Sequence, residues 1–208
     1  MVITPSEHDY RNVYKLMIGA IVPRPIAFVS TISKDGIPNL APFSFFTAAS
    51  GNPPVICFCP VGKSPTGGKK DTLNNIEATG EFVVNTVSED FADKMNITSI
   101  PYPPGVNEFI EAGLTPVPSD LVKPPRVKES RFAMECKLLQ IVTISQRPLG
   151  GSVVLGEVIR FHVLDELFDN FRIDPDLLRP IGRMAGTTYT RTTDRFELHR
   201  PQAGEVTN

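Results

Sequence analysis

Prolines recur along the whole chain, from Pro5 to Pro201, and number 20 in 208 residues. A proline inside a helix removes one hydrogen bond and collides with the preceding turn, whereas turns and strand edges accommodate it. At well above the usual ~5%, this content argues for a fold built on strands rather than a helical bundle. Hydrophobic residues at 41% and charged residues at 21% are those of a folded globular protein. With no break in composition and no internal repeat, residues 1–208 read as one unit.

The charge balance narrows the partners. Lys plus Arg total 21 against 23 acidic residues, a net charge of −2, which leaves no positive excess to follow a nucleic-acid backbone. The segment Met1 to Tyr14 carries Glu7 and Asp9 and lacks an apolar leader core, and no apolar run approaches the ~18 residues of a bilayer span. A cytoplasmic protein with neither nucleic acid nor membrane as partner is expected. Cys57, Cys59 and Cys136 are too few, and odd in number, for a secreted disulfide scaffold. Cys57 and Cys59 stand two apart in an apolar run, so a strand there turns both thiols to one face, with core packing as the expected role. No second Cys/His cluster completes a zinc site.

Periodicity places the elements. Tyr10, Val13, Tyr14 and Met17 share one face of a helix over residues 6–18 that Gly19 would end, lying against a sheet. Residues 26–32 and 37–46 read as strands joined by the turn Lys34-Asp35-Gly36. Residues 55–59 and 82–86 are further strands, with a helix between them capped by Asp71 or Thr72 and stopped at Gly80. A helix over 88–96 follows. Residues 98–130 are proline-dense, hold one short helical stretch before Gly113, and read as a surface excursion rather than a core unit. Residues 131–144 and 152–164 form a long hairpin around Arg147-Pro148-Leu149-Gly150-Gly151, and Asp174-Pro175 starts a brief helix. Strands and helices do not alternate regularly, so the fold class is mainly β, an antiparallel barrel with several short inserted helices.

Two segments carry candidate chemistry. Residues 62–72 combine glycines, lysines and hydroxyls ahead of a helix start, a composition that suits a phosphate group. The nucleotide-hydrolase loop needs Lys directly after its second glycine, and here Gly68 intervenes before Lys69. A solvated basic loop without ligand stays open as the alternative. Residues 39–50 place Phe43, Phe45 and Phe46 beside small residues and hydroxyls, as a flat apolar pocket wall or as core. His162 is expected at the solvent or a barrel seam, and no hydrolytic triad can be assigned by spacing.

Five motifs then occur in a characteristic order: Pro23-Arg24-Pro25-Ile26-Ala27-Phe28-Val29-Ser30-Thr31; Asn39-Leu40-Ala41-Pro42-Phe43-Ser44-Phe45-Phe46; Lys70-Asp71-Thr72 with Asn75-Ile76; Tyr102-Pro103-Pro104-Gly105; and Val154-Leu155-Gly156-Glu157-Val158. Over residues 10–200 the chain resembles flavin-reductase-like proteins, in the branch of flavoredoxin and the small reductase component of nitrilotriacetate monooxygenase. The resemblance implies a Greek-key, FMN-binding split β-barrel, a homodimer with the flavin near the subunit interface, and NADH or NADPH as hydride donor. It implies that Ser44, Phe45 and Phe46 lie along the isoalloxazine ring, that Lys70 and Thr72 hold the phosphate with Asp71 as helix cap, and that Asn75 reaches the ribityl chain. Arg24, Thr31, Asn39, Arg183 and Tyr189 are further cofactor-binding candidates on the same grounds. No catalytic residue is assigned. Several flavin reductases have a histidine before the strand at 154–158, where this chain has Gly150-Gly151-Ser152-Val153. An electron carrier served by a partner redox protein or monooxygenase, and a barrel that has lost its cofactor, are the alternatives.

Overall fold

The computed structural model describes residues 1–62 and 68–202, so the centre of the lysine-glycine loop, 63–67, lies outside the described residues. After a short 3-10 turn at Pro5–Glu7 comes α1 (Tyr10–Ala20), whose cap Asp9 accepts from the Arg11 N–H at 2.8 Å. The strands β1 (Ala27–Ile32), β2 (Pro38–Phe43), β3 (Phe46–Gly51) and β4 (Pro54–Phe58) precede α2 (Asp71–Thr79) and β5 (Glu81–Thr86). Then follow α3 (Ala92–Ile97), α4 (Glu108–Glu111), a small hairpin of β6 (Pro116–Val117) and β7 (Arg126–Val127), and the long strands β8 (Phe132–Thr143) and β9 (Ser152–Val163). The chain closes through β10 (Phe168–Asp169), β11 (Arg172–Ile173), α5 (Pro175–Leu178), β12 (Ile181–Arg183) and β13 (Tyr189–Arg191).

One antiparallel sheet of seven strands, ordered β2-β1-β5-β8-β9-β4-β3, carries the architecture. Its two edges are β2 and β3, which are consecutive in sequence. The single strand expected over 37–46 is thus broken at Ser44 and Phe45, where the chain leaves β1 and pairs with β4 instead. The Phe45 carbonyl accepts from the Cys59 N–H at 2.8 Å and starts that new ladder. Pro38 and Pro42 both lie on β2, an edge strand, where a missing N–H costs no interior hydrogen bond.

Burial on both faces explains why β1 opens on three consecutive apolar residues, Ala27, Phe28 and Val29, with Ser30 and Thr31 buried after them. Ala27 and Val29 face a barrel interior filled by Phe43, Phe58, Phe82 and Ile76, with ring centroids of Phe43 and Phe58 5.3 Å apart and of Phe58 and Phe82 5.5 Å apart. Phe28 and Leu40 face outward under Phe91, Met95 and Phe109. The segment 98–130, expected to cover the surface only, therefore does more: it supplies Phe109, Ala112, Leu114 and Val127 to a second buried cluster outside the barrel wall. By contrast α1, expected to pack on the sheet, has no buried residue.

One buried carboxylate fastens residues 120–122 of the excursion to β8 and β9. Glu135 of β8 is fully buried and accepts the N–H groups of Asp120 (2.8 Å), Leu121 (2.6 Å) and Val122 (3.2 Å). His162 of β9 completes the set, its Nε2 lying 2.5 Å from Glu135 Oε1. His162, expected at the solvent or a barrel seam, instead joins the carboxylate that holds the excursion on the outside of the barrel wall. Burial pushes the Glu135 carboxyl up, but the Asp120 amide, His162 and the Leu121 amide outweigh it and hold it below its ordinary value.

Candidate functional site

The site grows from the break between β2 and β3. Ser44 and Phe45 are held there by Arg24, a residue buried to 5% exposure between Pro23 and Pro25. Its Nε donates to Ser44 Oγ at 3.2 Å, and its guanidinium carbon stands 5.9 Å from the Phe45 ring centroid. On the other side the Tyr14 ring of α1 lies 6.3 Å from that of Phe45. Phe45 is thereby fixed as one wall of a chamber of about 450 Å³, whose other walls include Pro42, Ser44, Cys59, Lys70 and Pro101. Among the described residues no carboxylate or histidine lines it. Burial, with Cys57 adding to it, pushes the Cys59 thiol up to about 11, which favours its protonated form at neutral pH. Cys57 and Cys59 are both half-buried rather than core, while Cys136 is fully buried.

Lys70 stands where three cavities meet. It borders the Phe45 chamber, a cavity of about 360 Å³ running past Gly62, Gly68 and Lys69 to Gly150 and Ser152, and a small one of about 130 Å³ beside Asn39, Asp71 and Thr72. Asp71, expected as the cap of α2, is instead its first residue. The cap position falls to Lys70, whose side chain makes no capping hydrogen bond. A helix start without a side-chain cap, next to a lysine, is suited to an anion.

The other expected residues fall into three sets. Thr31, Asn39, Thr72 and Asn75 are buried and bond one another: Asn75 Nδ2 donates to Thr31 Oγ1 and Asn39 Nδ2 to Thr72 Oγ1, both at 3.0 Å. These two bonds pin α2 to β1 and β2 and so set the position of Lys70. Phe46 packs against the barrel core. Arg183 and Tyr189 stand together, guanidinium over ring at 4.4 Å, in a neighbouring cavity that shares Ser44 with the Phe45 chamber. Sequence reasoning missed Tyr14, Cys59, Ser99 and Pro101 as chamber walls. It also missed Glu108, buried beside Lys70 and accepting the Leu40 N–H at 3.0 Å.

Residues 18–192 match the family described as flavin reductase like domain. The chain belongs to the flavin reductase-like family. A protein of Halalkalibacterium halodurans, BH2278, is 42% identical over 205 residues, covering 97% of each chain. Nitrilotriacetate monooxygenase component B from Bacillus cereus is similar in structure, with a TM-score of 0.91 at 37% identity over 95% of this chain and 98% of that one. The 2-nitrobenzoate 2-nitroreductase NbaA of Pseudomonas fluorescens follows at 0.87 and 33%, covering 97% and 96%. A split-barrel protein from Shewanella frigidimarina, at 22% identity, TM-score 0.83 and coverage of 97% and 100%, shows the fold alone. The split barrel expected from the resemblance is thus the fold of this flavin reductase-like chain, and a flavin-related role is supported by its family. No helix among the described residues is long and apolar enough to cross a membrane.

Proposed function

We propose that this flavin reductase-like protein binds FMN and works as an oxidoreductase, with the ring in the Phe45 chamber and the phosphate beside Lys70. The observation that carries this reading is the position of Lys70, at the junction of a flat chamber and a lysine- and glycine-lined cavity. FMN supplies the electron chemistry when bound. The protein's residues supply placement: Tyr14 and Arg24 fix Phe45, Ser44 offers its backbone at the chamber wall, and the α2 start with Lys70 meets the anionic tail. A chamber without carboxylate or histidine fits chemistry that resides in a cofactor. NADH or NADPH is the proposed hydride donor, since alignment of the two rings meets the main requirement of that transfer.

Three measurements test this. Purified protein, or protein given excess FMN, is expected to show flavin absorbance near ~450 nm, where no side chain absorbs. Lys70→Ala is expected to weaken FMN binding by about 1.5–3 kcal/mol through loss of a charge-assisted phosphate contact. Affinity unchanged at both low and high salt would place the phosphate elsewhere. In anaerobic titration NADH or NADPH is expected to bleach the flavin. A flavin that stays oxidised, yet is reduced by a partner protein, would favour the electron-carrier reading.

The same proposal takes the protein as a homodimer in the cytoplasm that delivers electrons to a partner such as a monooxygenase. Leu16, Met17 and Ile21, at and just beyond the end of α1, are 52%, 45% and 57% exposed, and a second copy would cover them. Sedimentation equilibrium is expected to give twice the 22.9 kDa chain mass, and a monomer at micromolar concentration would remove this part.

A further inference from the structure

Behind Ser44 lies a second cavity, of about 240 Å³, lined among the described residues by two guanidinium groups and no carboxylate. Arg24 crosses its wall and is saturated almost entirely by carbonyls. Nη1 donates to Ile18 O (2.8 Å) and Ile21 O (2.7 Å), Nη2 to Met184 O (2.9 Å), and Nε to Ser44 Oγ. Of five N–H groups in a guanidinium, that leaves one on Nη2. The Arg183 side chain bonds only the Gly186 carbonyl among the described residues, through Nη2, and is braced against the Tyr189 ring. Tyr189 is in turn tied to Asn96 Oδ1 at 3.3 Å.

The charge balance of this cavity is unusual. Buried cations are ordinarily paired, because an unpaired charge away from water is strongly disfavoured. Carbonyl dipoles solvate Arg24 but leave its full positive charge, and Arg183 adds a second beside it. Burial holds the Arg24 guanidinium below its ordinary value; nearby Tyr14 opposes this and Arg183 reinforces it. Neither arginine has an acidic partner among the described residues, although six other arginines do: Arg11, Arg131, Arg160, Arg179, Arg191 and Arg195.

We propose that the Arg24–Arg183 cavity is a second ligand site, specific for a small organic acid whose carboxylate lies between the two guanidiniums and whose ring or chain rests on the apolar wall of Ile18, Ile26 and Met95. The size favours a one-ring ligand, because drug-sized molecules occupy about 300–1,000 Å³. Arg183, with its N–H fork largely uncommitted and its plane held by Tyr189, makes the direct carboxylate contact. Arg24, committed to the backbone, contributes field and one remaining donor. The site goes beyond FMN binding, because it gives Arg24, Arg183 and Tyr189, expected from the resemblance as cofactor contacts, to a second ligand instead; it shares Tyr14, Pro42, Ser44 and Ser99 with the Phe45 chamber.

Calorimetric titration of the full chain, as purified and again with FMN added, tests the proposal with benzoate, the neutral isostere benzamide, and 2′-AMP as probes. Benzoate is expected to bind at least about tenfold more tightly than benzamide, the ratio that one charge-assisted hydrogen bond supports. Arg183→Gln should weaken benzoate about tenfold while changing benzamide less than twofold, and Arg183→Lys should recover part of the loss. Equal binding of benzoate and benzamide, or an unchanged benzoate affinity in Arg183→Gln, overturns the site. Tighter binding of 2′-AMP than of benzoate overturns the carboxylate assignment in favour of a nucleotide phosphate. A protein that binds benzoate but never takes up FMN refutes the flavin reading and leaves this one standing.

Discussion

Glu135→Ala is expected to lower the free energy of unfolding by about 3–5 kcal/mol, the range seen when one member of a buried charged network is removed. The Glu135 side chain is fully buried, and its loss strands the amides of Asp120, Leu121 and Val122 together with His162. Urea denaturation should report it as a lower midpoint with little change in slope. The pH dependence has a definite sign. A carboxyl held below its ordinary value contributes stability that is fully present above the unfolded value of about 4.3 and fades as pH falls through the folded one. The difference between wild type and variant should therefore be largest near neutrality and shrink on acidification below about pH 4. A loss under about 1 kcal/mol at pH 7 would mean that the excursion holds to the barrel through Phe109 and Leu114 instead.

The barrel interior yields the second large effect. Gly156 of β9 faces the Phe82 ring so closely that a Cβ there would overlap Cζ and Cε1. Phe82→Ala is expected to cost about 3–5 kcal/mol as a core cavity, and Gly156→Ala about 1–3 kcal/mol as overpacking. In the double variant the new methyl occupies part of the space the ring vacates, so the combined loss should fall short of the sum by about 1 kcal/mol or more. Simple additivity in thermal or urea unfolding would show that the two positions do not share that space.

What the sequence disclosed, and what it withheld, follows from range. Signals closed within a turn or two were legible. Gly36 and Gly80 adopt the positive φ that the hairpin turn and the end of α2 require, at 83° and 71°, and Asp174 caps α5 by accepting from Asp176 and Leu177. At α1 the local rule failed, because the helix runs through Gly19 to Ala20. The break at Ser44 and Phe45 was illegible for a different reason. Residues 37–46 read as one strand with no local signal at Phe45, and it is the distant β4, with the Cys59 amide at its end, that draws Phe45 to a new partner. Arg24 shows the same limit: between two prolines it reads equally as a surface cation or a ligand contact. Its burial is fixed by acceptors on α1, at Ser44 and at Met184, the last of them 160 residues away.

The flavin reductase-like motifs carried the fold because their order along the chain is long-range information. The expected phosphate loop could be followed only at its ends, Gly62 and Gly68 to Lys70. There, the helix begins one residue earlier than propensity suggested, which moves the lysine itself to the cap.

The connection at Ser44 and Phe45 joins the two outermost strands of one sheet, so it bridges the seam along which the cylinder is split. Opening that seam must drag Tyr14, Arg24 and the aromatic wall apart, and closing it must bring them back together. Barrel closure and pocket shape are in this way a single coordinate, and a molecule seated against Phe45 would act as a clasp. Heat resistance in this protein should climb with ligand concentration as the logarithm of occupancy demands.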